Sequence, residues 1–241
     1  MSEEPKHIVS SFEADLKKLR DQIALMGGMV EQAVADATTA LTEHNANLAA
    51  RVIENDVKID NEQHRIEQFA VRLLALRQPV ADDLRQVIQA LKVVTDLERV
   101  GDYAANIAKR SIVINQIANN FPLAGLAQMA MLVQQNLKAS IDTVGEADPQ
   151  KAISVWRADQ MVDDLYNTIF RELITYMMED ARNISACTHL MFIAKNLERI
   201  GDHTTNMAEL TYYAITGENM PDFRPKGDMT STYIPSQLKH V

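Results

Sequence analysis

The residues in this chain best placed to do chemistry are four pairs of acids spaced i,i+4: Asp56 with Asp60, Glu98 with Asp102, Asp159 with Asp163, and Glu198 with Asp202. On a helix that spacing puts both carboxylates of a pair on one face, where like charges repel by about 0.2–0.5 kcal/mol. Four converging carboxylates repel more strongly unless a cation stands among them. A hard metal ion is the natural compensator. An all-oxygen donor set, without cysteine and with little histidine, suits iron, manganese, magnesium or calcium better than a structural zinc site. The number of pairs carries little weight, because 33 acids in 241 residues give about four by chance and the chain has six.

What carries weight is the arrangement. The run Leu97-Glu98-Arg99-Val100-Gly101-Asp102-Tyr103-Ala104-Ala105-Asn106-Ile107-Ala108 returns as Leu197-Glu198-Arg199-Ile200-Gly201-Asp202-His203-Thr204-Thr205-Asn206-Met207-Ala208, with seven of twelve positions identical. Upstream, Asn55-Asp56-Val57-Lys58-Ile59-Asp60 matches Ala158-Asp159-Gln160-Met161-Val162-Asp163 at an offset of 103. The halves are copies. At about 100° per residue, Asp56 and Asp60 flank the stripe of Leu48, Val52, Ile59, Ile66 and Leu73, and Glu98 and Asp102 flank theirs. Two helices of each half can therefore gather four carboxylates along one seam. Arg85, Lys92, Arg99 and Arg110 are expected to form a solvated basic line on another side.

Around the acids stand weaker candidates. Gly101 and Gly201 are expected to permit close helix approach. Asn106 and Asn206, four residues beyond the acids, and His203 are candidates to orient a ligand through outer hydrogen bonds. Tyr103 replaces His203 in the first copy, which favours a surface histidine there. His64 and His189 read as structural or exposed, and Cys187 as a core-facing small residue.

Six helical stretches must position these side chains: 8–44, 46–77, 81–118, 123–145, 150–180 and 183–216, cut by prolines and small turn clusters. Phe12, Leu16, Leu19, Ile23, Met26, Val30, Ala33, Ala37 and Leu41 make one apolar stripe on the first. Gly27-Gly28 inside it reads as close packing against a neighbour. Short connections make neighbouring helices antiparallel. The fold class is all-α, two tandem pseudo-symmetric three-helix bundles over 8–120 and 121–217. Residues 218–241, with Pro221, Pro225, Gly227 and Pro235, read as a flexible tail.

Composition narrows the function. A net charge of -9 argues against general nucleic-acid affinity. One cysteine fits a reducing compartment, the N-terminus has no secretory pattern, and no run of 18 apolar residues occurs, so a cytoplasmic protein without membrane insertion is expected. No nucleophile-base pair or phosphate-cradling glycine loop is recognisable, so an enzyme is not expected. A carboxylate-bridged metal store or redox bundle would need Glu-x-x-His on its helices, and the one such spacing is Glu4 to His7. A purely structural scaffold is the third reading.

Together LERVGDYAANIAKR, LERIGDHTTNMAEL, the earlier acidic pairs and the Arg77-Gln78-Pro79 turn closely resemble the PhoU family of phosphate-uptake regulators, over about residues 8–217. The resemblance implies a PhoU-like pair of three-helix bundles whose acidic motifs hold multinuclear iron or zinc clusters in some members. By position the ligands would be Asp56, Asp60, Glu98 and Asp102, then Asp159, Asp163, Glu198 and Asp202. Iron is the foremost expectation, with zinc, manganese or magnesium as alternatives. It further implies a negative regulator of the phosphate-starvation response, linking the ATPase subunit of the phosphate ABC transporter to a phosphate-sensing histidine kinase; a homodimer is also compatible. Two departures stand out. Ala181-Arg182 replaces the family's usual proline before the arginine, and Lys109 stands where the second copy has Glu209, which would make the two sites unequal in charge.

Overall fold

A computed structural model describes residues 4–117 and 123–221, with side chains from Phe12 onward. Among these residues the chain forms α1 (Glu4–Thr42), α2 (Ala46–Arg77), α3 (Ala81–Ile114), α4 (Ala124–Glu146), α5 (Pro149–Ala158), α6 (Gln160–Glu179) and α7 (Ile184–Thr216), with a 3-10 turn at Ala181–Asn183. The expected junction near residue 121 and all but the first residues of the expected tail lie outside the described residues. The helix bounds agree with the sequence reading to within a few residues, save that the fifth stretch is interrupted at Asp159. There the backbone keeps helical angles (φ -67°, ψ -22°), and the Asp159 carbonyl accepts from both Val162 N at 2.9 Å and Asp163 N at 3.1 Å. The interruption is a local tightening of the helix at a candidate ligand.

Local chemistry sets the helix ends. Asn45 caps α2 by accepting from Leu48 N at 3.0 Å. Asp148 caps α5 by accepting from Gln150 N at 2.8 Å and Lys151 N at 3.3 Å, just ahead of Pro149 in the first turn. Three helices close on left-handed residues: α2 on Gln78 (φ 47°), with Pro79 next, α4 on Ala147 (φ 52°) and α7 on Gly217 (φ 75°).

The halves are separate in sequence but not in their core. Within the first, α1, α2 and α3 pack on one another; in the second, α4, α5 and α6 pack on α7. Across the halves α3 lies against α7 and α1 against α4. Leu97, Val100 and Ile107 of α3 share one continuous buried cluster with Leu197, Ile200 and Met207 of α7. Polar ties cross the same joint: Gln89 Nε2 donates to Thr211 Oγ1 at 2.8 Å, Gln134 Nε2 to Thr38 Oγ1 at 2.9 Å.

The two glycines inside α1 separate in role. A Cβ on Gly27 would come 2.7 Å from Ile141 Cγ2 of α4, so this glycine sets the approach of α1 to α4 as expected. A Cβ on Gly28 would meet nothing within 4 Å. Gly28→Ala should therefore stabilise the fold by about 0.5–1 kcal/mol through helix propensity alone. Gly27→Ala should destabilise it by about 1 kcal/mol, the clash outweighing the same propensity gain. Urea midpoints of the two variants should move in opposite directions at unchanged m.

Candidate metal centres

In the first half the seam lies between α2 and α3. Gly101 lets α2 in: a Cβ there would stand 3.1 Å from Ile59 Cδ1 and 3.5 Å from Asp56 Oδ1. Asp56 Oδ1 is itself buried and has no hydrogen-bond partner among the described residues. Burial, then the charges of Asp102 and Asp60, push the Asp56 carboxyl above its ordinary range, with Lys109 opposing. Glu98 is also raised, first by burial and then by Asp102, against the pull of Arg99, with Asp60 and Asp56 adding to the rise. Asp56 and Glu98 thus feel the charges of Asp60 and Asp102 across the seam.

The basic line does not stand apart from them. Arg99 reaches back to its neighbours, Nε to Glu98 Oε2 at 3.4 Å and Nη1 to Asp102 Oδ2 at 3.1 Å. Arg85 pairs with Asp82 at 2.6 Å, and Arg110 lies over the Phe192 ring, 4.0 Å from its centroid. Of the four, Lys92 is the one that stays simply exposed. A long side chain folds toward the nearest acid or ring even when its Cα faces elsewhere, and spacing alone does not register that.

In the second half three of the equivalent acids go deeper, while Asp202 stays half-buried like Asp102. Asp159, Asp163 and Glu198 are 1%, 3% and 4% exposed. Asp159 lies so close over Gly201 that a Cβ there would collide with its Oδ1. Lys195 Nζ meets Glu198 Oε1 at 2.8 Å. Burying an ionised carboxylate costs several kcal/mol unless it is answered, so acids at this depth need positive charge, hydrogen-bond donors or a proton. The inequality expected from Lys109 and Glu209 has a physical form. Lys109 acts on Asp56, whereas Glu209 turns to accept from Trp156 Nε1 at 2.8 Å.

The outer candidates fall elsewhere. His203 points across the joint between halves: its Nδ1 is 2.7 Å from Asp96 Oδ1, and its ring lies 5.6 Å from that of Tyr103. Asn106 and Asn206 are exposed, as is His64; His189 is half-buried beside Arg110, and Cys187 is buried. Lys195, three residues before Glu198, was readable as its partner. The Asp96–His203 and Trp156–Glu209 contacts, 107 and 53 residues apart, carry no local signal.

As they stand, no three His, Cys, Asp or Glu side chains among the described residues are arranged to grip one metal ion. The donors nevertheless fit a cation in kind: all are carboxylates, two are held above their ordinary range by burial and by neighbouring acids, and one oxygen is buried without a partner.

The PhoU domain matches this chain twice, over residues 23–111 and 126–211. The chain belongs to the PhoU family. Each match contains one set of four acids. A protein of Caulobacter vibrioides described as a phosphate-specific transport system accessory protein PhoU homolog is 46% identical over 227 residues, covering 94% of this chain and 99% of that one. The crystal structure of PhoU from Pseudomonas aeruginosa superposes with a TM-score of 0.83 at 39% identity, covering 86% of this chain and 100% of that one. The phosphate transport system regulatory protein PhoU from Streptococcus pneumoniae superposes with a TM-score of 0.80 at 31% identity, over 87% of this chain and 99% of that one. The PhoU-like, all-helical fold is therefore shared.

A carboxyl whose pKa is raised in the folded chain favours folding most at low pH, and that aid is lost as pH rises through the folded-state value. For Asp56 and Glu98 the window opens at their ordinary values of 3.8 and 4.5 and extends upward. Metal-free Asp56→Asn should therefore be more stable than the metal-free parent at neutral pH, and its advantage should shrink as pH falls through that window. Urea denaturation of both proteins at a series of pH values checks this, the difference reporting Asp56 together with its share of the Glu98 shift.

Proposed function

We propose that the chain is a regulatory accessory of a phosphate transport system. In this reading it restrains uptake and represses the phosphate-starvation response by linking the transporter's ATPase subunit to a phosphate-sensing histidine kinase. The observation that carries it is the near full-length similarity to the Caulobacter vibrioides accessory protein, at 46% identity. The PhoU family consists of accessory proteins rather than enzymes, so the action is one of binding. Helices of 32 to 39 residues, such as α1, α2 and α3, offer long faces for partner helices or domains. No helix among the described residues is long and apolar enough to cross a membrane, so contact with the transporter would run through its cytoplasmic subunit.

The carboxylate sets would hold metal, with Asp56, Asp60, Glu98 and Asp102 in one centre and Asp159, Asp163, Glu198 and Asp202 in the other. Iron is the first choice, and zinc, manganese or magnesium are alternatives. A bound cation would supply the charge that lets these acids remain ionised between packed helices.

Loss of the gene should leave the phosphate-starvation genes expressed in high phosphate; unchanged repression there would remove the regulatory reading. Protein purified without a metal-binding tag should carry metal by elemental analysis. Glu98→Ala with Glu198→Ala should lower its content at least severalfold, and metal-free wild-type protein would end the metal reading while leaving the adaptor reading to the expression assay.

A further inference from the structure

At one end of the joint between halves, a cavity of about 270 Å³ lies among α1, α3, α4 and α7. Its floor is apolar, with Leu16, Ile23 and Val144 from facing helices. Its remaining wall is polar and unevenly committed. Gln89 is spent on Thr211, and Asp82, the one acid lining the cavity among the described residues, is engaged by Arg85 at 2.6 Å. Arg20 differs. Its Nη1 donates to the neutral Gln86 Oε1 at 3.0 Å, and it has no carboxylate partner among the described residues. A guanidinium at the edge of an apolar cavity, with most of its planar fork unspent, matches a carboxylate joined to a hydrocarbon body. The space suffices, since an apolar cavity of about 150 Å³ holds benzene.

We propose that this cavity binds a small organic monocarboxylate, with its apolar body on the Leu16, Ile23 and Val144 floor and its carboxylate on Arg20. The ligand touches α1 and α3 from one half and α4 and α7 from the other, so its binding braces the two halves against each other. The site is separate from both acidic centres and rests on neither the metal nor the adaptor reading.

The test is calorimetric titration of the full chain with benzoate, hexanoate, neutral benzyl alcohol and inorganic phosphate. Benzoate or hexanoate should bind saturably with Kd near or below about 1 mM. Arg20→Gln should weaken that binding at least tenfold and leave benzyl alcohol unaffected. Val144→Trp, which intrudes into the cavity, should weaken both. Arg20 is exposed, so R20Q keeps the test open if V144W fails to fold. The proposal is overturned if neither carboxylate binds saturably below about 10 mM, if R20Q binds them as the parent does, or if inorganic phosphate binds as tightly as benzoate.

Discussion

Burial of carboxylates between packed helices, with their mutual repulsion added in the first half, is the constraint on which the arrangement of the seams depends. Acids on a solvated face spread apart at little cost, and such pairs cost only tenths of a kcal/mol. Here they are pressed into seams. In the first half burial and neighbouring charge together hold Asp56 and Glu98 above the ordinary carboxylate range. In the second half Asp159 and Asp163 are almost wholly covered. A fold keeps such an arrangement only where surrounding packing over-determines it, and that packing comes from the same two helices that carry the motifs, α3 and α7.

Those helices are also the spine of the molecule. Each carries an acid pair on one flank and the shared core on another, so the geometry of a seam is tied to the joint between halves. Gly101 and Gly201 are points of close approach: at Gly201 the Asp159 carboxylate enters the space a Cβ would fill, and at Gly101 Ile59 would stand 3.1 Å from it. The helix that carries an acid pair in one seam also packs against the other half. The Asp96–His203 contact and the Gln89–Thr211 bond cross that joint and fix the register of α3 on α7. Electrostatics at the acids and packing at the joint are thus two loads on one pair of rods.

The helices were legible because apolar residues recur at three and four over long runs, and because Asn45, Asp148 and Pro149 mark ends by local chemistry. The repeat located the acids, since a duplicated motif carries information that acidic pairs alone lack. What escaped the sequence depends on where long side chains go and on which distant residues meet. Arg99 was placed by its Cα on a basic face, but its guanidinium returns to Glu98 and Asp102. His203 adjoins Asp202 in sequence yet points to Asp96 on α3. The single core joining the halves was equally hidden, because periodicity shows which face is apolar and not which helix covers it.

Duplication does not make the two acidic sets equivalent, and the difference follows from burial. Glu98 and Asp102 have side chains 17% and 39% exposed, with an arginine laid over them that can swing away into solvent. Glu198 is 4% exposed and answered by Lys195 from within its own helix turn. An ion or proton would reach Glu98 and Asp102 once that one surface side chain moves. Reaching Asp159, Asp163 and Glu198 of the second set would require the helices around Asp159 to loosen, and local opening of that kind costs a share of the folding free energy. The tightened helix at Asp159 puts such loosening at the one interruption between α5 and α6, where fewer regular backbone bonds need to break. Any cation taken up at the outer set would therefore exchange with surface side-chain motion, whereas one at the inner set would depend on the stability of the second half.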